Sequence, residues 1–255
     1  MRGYIQDYNS KTIRICVKGK NLQKEQYVCT VCGFNMVGYY PDKCPFCGAL
    51  RDKFITSEEC SARFNVKGFP VNEKVTRLNS VPPLGLEHSA YRVETNNKTY
   101  WIDCPSSFDN SLKPTDVIIF THHHFLGASN QYRELFSSQV RIHKLDSAHK
   151  ICQAFTFDET FNENFTEDGI DAFHIDGHTP GFTFYIFEEA LLICDYVFLK
   201  EEKMRYNPFG PEKDTREGGK KLKTIVEGRK IDVVCGYNYV VDYVDWKPKF
   251  DNLCV

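Results

Sequence analysis

From about residue 71 onward, the chain alternates between short apolar runs and longer amphipathic or charged segments. Short continuous apolar runs are typical of strands with both faces covered, and the segments between them have helical periodicity. The pattern predicts strands over residues 90–95, 98–103, 117–120, 140–143, 170–174, 182–187, 190–194 and 231–235, and helices over residues 128–136, 147–155 and 213–228. Strands that alternate with helices indicate a layered α/β domain.

The first 70 residues follow a different pattern. One alternating segment, residues 12–17, predicts a half-buried strand. Residues 27–51 contain few aliphatic side chains, so a bound metal must supply much of their stability. Residues 52–70 are weakly patterned and predict a link between two parts. We therefore expect a small metal-binding module over residues 1–60 and a larger α/β domain over residues 71–255.

The metal-binding signal of the small module is a double pair of cysteines. Each pair is separated by two residues and followed by a glycine, and the four positions are Cys29, Cys32, Cys44 and Cys47. Two facing turns of this kind bring four sulfurs to one point, as a tetrahedral thiolate site requires. The spacing therefore predicts a four-cysteine metal centre.

A second group of candidate ligands follows the apolar strands of the larger domain. His122 and His124 come directly after the predicted strand at residues 117–120, and Asp195 comes directly after another strand. His178 lies in the turn Gly-His-Thr-Pro-Gly. Ligands collect at the carboxyl ends of strands in such sheets, and three imidazoles with one carboxylate suit zinc or non-haem iron. No role is predicted for the remaining histidines, His88, His123, His143, His149 and His174.

The sequence Tyr-Val-Cys-Thr-Val-Cys-Gly-Phe, followed by Cys-Pro-Phe-Cys-Gly, resembles rubredoxin over residues 27–49, specifically the shortened type attached to rubrerythrins. The resemblance implies one iron that passes single electrons. It also implies an aromatic shell that keeps water from the sulfurs, formed by Tyr27, Phe34, Tyr39, Tyr40 and Phe46. A zinc ribbon, in which the metal is structural, remains the competing interpretation.

The larger domain resembles the metallo-β-lactamase superfamily over about residues 74–240. The resemblance rests on the order Thr-His-x-His, Gly-His-Thr-Pro-Gly and an aspartate after an apolar strand, together with Tyr-Trp-Ile-Asp-Cys at residues 100–104. It implies an αββα sandwich with metal bound at one edge of the two sheets.

The chain departs from that superfamily at the residues that bind a second metal. Leu126 and Gly127 stand where the superfamily has aspartate and histidine, and Tyr237 stands in the place of a late histidine. Two-metal hydrolysis places a hydroxide between two ions, and these residues do not support it. A single metal held by the four candidate ligands, iron or zinc, is the expectation that remains.

Persulfide dioxygenases use the same fold with one iron, which is held by two histidines and an aspartate. By resemblance, these ligands fall on His122, His178 and Asp195. Such a triad leaves open positions for oxygen and substrate. The leading hypothesis is therefore a redox protein whose rubredoxin-like iron passes electrons to a mononuclear metal, with His178 and Asp195 serving in catalysis.

Two other functions stay open from the sequence. One is a mononuclear zinc hydrolase of an ester, thioester or amide, in which the knuckle metal is structural and Asp195 orients a bound water. The other is a non-catalytic sensor or binding protein with a retired site. The loop at residues 204–210 is aromatic and could cover a pocket or meet a partner, and the interpretation preferred here is a surface loop packed by its own side chains.

Composition bounds the partners and the compartment. The net charge of −2 in 255 residues gives no general case for nucleic acid or an anionic membrane as a partner, and the apolar runs are too short to span a bilayer. Of 11 cysteines, seven lie outside the knuckle, and this odd remainder favours a reducing compartment, the cytoplasm or an organelle stroma. We expect a small-molecule substrate or a redox partner protein, and a homodimer stays open.

Overall fold

The computed structural model of the chain describes residues 25–254. The strand predicted at residues 12–17 lies outside these described residues. Within residues 25–254, no helix is both long and apolar enough to cross a membrane.

The small module is an antiparallel sheet of three strands followed by a short helix. The strands are β1 (Gln26–Cys29), β2 (Asn35–Val37) and β3 (Phe54–Thr56), in the order β2-β1-β3. Helix α1 (Ser57–Arg63) begins at a capping box, in which Thr56 and Glu59 each accept a hydrogen bond from the other's backbone N–H. Cysteine ligands lie at the end of β1 and in the two turns beyond it.

Seven strands form the first sheet of the larger domain. They are β4 (Asn65–Pro70), β5 (Val75–Val81), β6 (Ala90–Glu94), β7 (Thr99–Ile102), β8 (Val117–Ile119), β9 (Gln139–His143) and β10 (Glu159–Phe161). They lie side by side in chain order, antiparallel from β4 to β7 and parallel from β7 to β10. The parallel half of the sheet places the carboxyl ends of β7, β8 and β9 at one edge.

The second sheet has six strands in the order β11-β12-β13-β14-β17-β18. These are β11 (Phe165–Glu167), β12 (Ile170–His174), β13 (Thr183–Phe187), β14 (Ala190–Cys194), β17 (Val233–Gly236) and β18 (Val240–Asp242). A separate hairpin, β15 (Val197–Lys200) with β16 (Lys203–Tyr206), follows β14 directly. This hairpin turns the chain back over the end of the second sheet.

Helices cover the outer face of each sheet. The remaining helices are α2 (Ser129–Phe136), α3 (Lys144–Ser147), α4 (Glu212–Val226) and α5 (Tyr243–Leu253). The central core joins side chains of both sheets, such as Tyr91 and Tyr185. The outer face of the first sheet packs on Tyr132 of α2, and that of the second packs on Leu222 of α4 and Trp246 of α5. The layers are therefore αββα, and the predicted fold class is confirmed.

Two sequence interpretations of local structure were wrong. The helix predicted over residues 147–155 is divided into α3 and a 3-10 turn at Lys150–Ala154. The predicted link at residues 52–70 contains β3, α1 and β4, because its apolar residues Phe54, Cys60 and Val66 are spaced so widely that no period is visible. Helix α5 was also missed. An interior proline such as Pro248 disfavours a helix, although Trp246 and Phe250 share the helical spacing of a buried face.

The small module is joined to the larger domain by buried amide hydrogen bonds. Gln26 Nε2 donates to Asn35 Oδ1 (2.6 Å) and lies 3.2 Å from the carbonyl oxygen of Gly127. Asn35 Nδ2 donates to the carbonyls of Gly33 and Ser106, each at 3.0 Å. Both side chains are buried. Buried bonds of this kind fix orientation, because the loss of one partner leaves a desolvated polar group behind.

We expect Asn35→Ala to destabilise the protein by about 2–4 kcal/mol, because the substitution leaves buried partners on both sides of the module boundary without a bond. The free energy of unfolding is measured by urea denaturation. The matched control is Asn97→Ala, which removes one exposed bond to Asp168 and is expected to cost less than about 0.5 kcal/mol. Equal losses in the two variants would contradict the prediction.

Candidate metal centres

The four cysteines of the small module form a compact sulfur cluster. Cys29 Sγ lies 3.7 Å from Cys47 Sγ, and Cys32 Sγ lies 3.7 Å from Cys44 Sγ. Their sulfur atoms all lie within 4.8 Å of one another. A tetrahedral site with metal–sulfur bonds of about 2.3 Å has sulfurs about 3.8 Å apart. The arrangement therefore fits a four-thiolate metal site.

Tight turns present these sulfurs and polarise them. The N–H of Gly33 donates to the Cys29 carbonyl (2.8 Å), and the N–H of Gly48 donates to the Cys44 carbonyl (2.9 Å). Hydrogen bonds from the Cys32 and Cys44 thiols lower the pKa of Cys29, and backbone N–H groups in the first turn lower it further. The hydrogen bonds that lower the pKa of Cys29 raise that of Cys32, and the bond to Cys29 raises the pKa of Cys44 to about 12. Thiolate is the form that binds metal, so a cation is needed to hold all four cysteines in that form.

The structure brings His122, His124, His178 and Asp195 together at the shared edge of the two sheets. His124 Nδ1 lies 3.2 Å from His178 Nε2, and Asp195 lies 3.5 Å from His122 Nε2 and 3.6 Å from His178 Nε2. Ligand atoms at metal bonds of about 2.0–2.1 Å are about 3.4 Å apart in a tetrahedron. These distances therefore fit one metal ion.

Burial sets the protonation of this group. Desolvation lowers the pKa of His122 and His124 well below the usual range, and it lowers the pKa of His178 to about 3. Burial raises the pKa of Asp195 in the absence of a cation. Neutral imidazole is the ligating form. His122 Nε2, His178 Nδ1 and Asp195 Oδ1 are buried without a hydrogen bond, and a cation would satisfy the first and the last of these.

A hydrogen-bonded chain directs His122 toward the centre. Its Nδ1 lies 2.9 Å from Thr121 Oγ1, which is 2.9 Å from each carboxylate oxygen of Asp103. With Asp103 ionised, the hydroxyl donates to the carboxylate, so the imidazole donates from Nδ1 and leaves Nε2 bare. A partner of this kind on a ligand histidine fixes both its tautomer and its orientation.

Asp146 joins the two loops that carry the histidines. One carboxylate oxygen accepts from the His123 backbone N–H (3.0 Å) and the Thr179 hydroxyl (2.9 Å), and the other accepts from the Gly181 N–H (2.9 Å). The His123 side chain is directed to this carboxylate at 3.2 Å rather than into the centre. Sequence reasoning missed Asp146, although it closely follows the carboxyl end of β9, as His122 follows that of β8.

Asn207 was also missed, and the interpretation of residues 204–210 as a self-packed surface loop was wrong. Its side chain is buried, and Nδ2 donates to Asp195 Oδ2 at 2.8 Å. The first residues of this segment belong to β16, and Phe209 lies against Phe46 with ring centroids 6.5 Å apart. No local pattern signals Asn207, because the hairpin that delivers it is separate from both sheets.

Leu126 and Tyr237, which stand at superfamily ligand positions by resemblance, lie in apolar and aromatic packing. Leu126 belongs to the apolar cluster between the first sheet and α2. The ring of Tyr237 lies 5.9 Å from that of Phe125, and its hydroxyl donates to the Leu86 carbonyl. His88 stacks on Phe125 at 4.1 Å and its Nε2 bonds to the Cys104 carbonyl.

Phe46 lies between the two centres. It belongs to the second cysteine turn, and its ring centroid is 5.3 Å from that of His124 and 6.3 Å from that of Phe125. A surface pocket of about 470 Å³ opens beside this contact, and it is lined by Pro45, Phe46, His124, His149, Lys150, Ile151 and Phe209. His124, a candidate ligand of the histidine centre, thus contacts Phe46 of the cysteine module and also borders the surface pocket.

Comparison with known proteins agrees with both parts of the chain. The family described as "Rubrerythrin, rubredoxin-like domain" matches residues 27–55. Among solved structures, TMB-1 superposes with a TM-score of 0.59 at 13% identity, covering 74% of this chain and 97% of that chain. DIM-1 metallo-β-lactamase gives 0.58 at 13% identity, covering 74% and 97%. A metallo-β-lactamase from Pontibacter korlensis gives 0.57 at 15% identity, covering 74% and 100%.

These matches define the class of the protein. It has the metallo-β-lactamase fold, and it carries a rubredoxin-like domain of the rubrerythrin type ahead of that fold. No curated protein matches the chain in sequence. Identities this low show the fold alone, so the activity must be argued from the residues of the two centres.

Gly127 stands where the superfamily resemblance places a metal ligand, and neighbouring backbone atoms pack closely against it. Its φ is +49°, and an added Cβ would clash with the backbone oxygens of Cys104 and Pro105. We expect Gly127→Ala to cost at least about 3 kcal/mol of stability in urea denaturation. The matched control is Gly228→Ala, where φ is +77° and the Cβ meets open space, with an expected cost of about 1 kcal/mol. Equal costs would show that the close approach is unimportant.

Proposed function

We propose that the protein is a metal-dependent redox protein with one iron at each centre. The rubredoxin-like iron passes single electrons to a second iron, which is held by His122, His124, His178 and Asp195. The observation that carries this proposal is the contact between Phe46 and His124. The iron in each centre would supply one-electron redox chemistry, with an external reductant as the electron source. All further arguments concern the residues of the chain.

Phe46 shortens the path between the centres. It is bonded in sequence to Cys47, and its ring packs against a candidate ligand of the histidine centre. Electron transfer slows steeply with distance, so one side chain that touches both ligand sets favours direct transfer within the chain. A purely structural knuckle would not need to present its turn to the other metal.

The joint between the small module and the larger domain favours a constant distance between the two metal centres. Gln26 and Asn35 of the module form buried bonds with the carbonyls of Gly127 and Ser106 in the larger domain. Ile151 of the larger domain also packs into the apolar cluster that contains Cys29 and Cys44. A rigid, apolar joint excludes water and limits the structural change that accompanies a change of charge.

The pocket beside Phe46 supports access for a small molecule. His124 is half-buried and forms part of the pocket wall, whereas His122, His178 and Asp195 are closed from solvent. Lys150 is the positively charged residue of the wall, and Phe46 with Phe209 makes it aromatic. We propose that a small substrate approaches the metal here, while a redox partner protein reduces the cysteine centre.

The hydrolase and the retired site remain the competing functions, and metal content separates them from the redox function. Two irons per chain with red ferric-thiolate bands that bleach on reduction support the proposal. One knuckle metal with one zinc supports the hydrolase. A knuckle metal with no metal at the histidines supports a retired site.

We expect Phe46→Leu to slow the internal electron transfer at least tenfold, because the aromatic bridge to His124 is lost while the cysteines stay in place. Stopped-flow absorption follows both centres after mixing with a small reductant. The control is Phe34→Leu, which alters the same shell without a ring contact to the histidines. Unchanged reduction kinetics of the histidine metal in Phe46→Leu would contradict the proposed path.

We expect His178→Ala to remove one metal per chain and to leave the red colour of the knuckle, because the two ligand sets share no residue. Metal analysis and the visible spectrum of the same sample measure this. His149→Ala serves as the control, since His149 stacks on His123 outside the ligand set. Loss of both metals in His178→Ala would argue against two independent centres.

A further inference from the structure

Asn207 differs from the other polar residues near the histidine centre because it contacts a candidate ligand atom directly. Its Nδ2 donates to Asp195 Oδ2 at 2.8 Å and lies 3.2 Å from His178 Nε2. Its Oδ1 accepts from the Phe209 backbone N–H at 2.9 Å. That bond fixes the orientation of the amide, so the nitrogen faces the carboxylate.

The two oxygens of Asp195 are consequently not equivalent. Oδ2 is occupied by the Asn207 amide, whereas Oδ1 is buried, unpaired and 3.5 Å from His122 Nε2. A carboxylate bridges two cations only when each of its oxygens is free to meet one. An N–H donor on Oδ2 has the polarity that a second cation would have there.

We propose that Asn207 is a positioning residue that holds Asp195 as a one-oxygen ligand by capping Oδ2, which also lies 3.6 Å from His178 Nε2. The inference rests on the proposed metal binding by the histidine centre, and it is independent of the redox role.

The backbone around Asn207 is built to hold this position. Its N–H donates to the Tyr196 carbonyl at 3.1 Å, which ties the residue after β16 to the residue after Asp195. The side chain is only 3% exposed. A buried amide that bonds at its backbone, its oxygen and its nitrogen has little freedom to turn, as a positioning role requires.

Cobalt(II) titration of the metal-free full chain tests the proposal, because cobalt absorption reports the coordination of each centre. We expect the native protein to bind two cobalt ions, one with thiolate bands and one without. In Asn207→Leu, we expect a 10–100-fold weaker second site and a changed absorption spectrum of its cobalt, because Asp195 is free to turn. In Asn207→Asp, which keeps the size of the side chain and removes the N–H donor to Asp195 Oδ2, we expect the same change in the spectrum of the non-thiolate cobalt.

The thiolate bands serve as the internal control in every sample. Asn130→Leu is the matched variant, since Asn130 also accepts a backbone N–H and donates to a carbonyl but lies away from both centres. Unchanged affinity and spectrum in Asn207→Leu would overturn the proposal, as would weaker binding with an unchanged spectrum, which indicates a merely structural role. If Asn207→Leu fails to fold, Asn207→Asp decides, and an unchanged spectrum of the non-thiolate cobalt in that variant would overturn the proposal. A native protein that binds only the thiolate cobalt contradicts the proposed function itself.

Discussion

The structure depends on the burial of metal-ligand atoms at one edge of two stacked sheets. Three imidazoles and a carboxylate converge there, and two candidate ligand atoms, His122 Nε2 and Asp195 Oδ1, are left without a hydrogen bond. Such an arrangement costs free energy unless a cation satisfies the ligand atoms. The partners of these ligands, Asp103 through Thr121 and Asp146 through the loop backbone, are themselves buried and bonded. The fold therefore supports the candidate ligands with buried hydrogen bonds from both loops that carry the histidines.

The small module attaches at residues that directly follow the Thr-His-x-His segment. The carbonyl of Gly127 lies within hydrogen-bonding distance of Gln26 of the module. Phe125, two residues earlier, packs on Phe46 from the module and on Tyr237 of the larger domain. Phe125 and Gly127 therefore form part of the surface on which the module packs. The same packing places the Phe46 ring against His124, and the proposed electron path follows from that contact.

Much of the site was accessible from the sequence because metal ligands have strict spacing. The paired cysteines and the Thr-His-x-His and Gly-His-Thr-Pro-Gly segments identified both groups that the fold brings together. The supporting residues were harder to find. Asp146 acts through hydrogen bonds to residues 23 to 35 positions away in sequence. Asn207 contacts residues 12 and 29 positions away. Short local motifs carry no information about such distant partners. The predictions of elements at residues 52–70 and at helix α5 were also wrong or missing, because those segments show little apolar periodicity or contain a proline.

By itself, the sequence determined a layered α/β domain, the cysteine knuckle and the candidate ligands of the histidine centre. These follow from residue type and local spacing, which set strand and turn formation and the supply of ligand atoms, whereas the αββα order came from the resemblance to the metallo-β-lactamase superfamily. Only the tertiary structure decided that Phe46 touches His124 and that an asparagine caps one oxygen of Asp195. These contacts join segments separated by 78 and 12 positions, and the second depends on the path of a hairpin outside both sheets. Packing of whole elements sets such distances, and no periodicity in the chain encodes them.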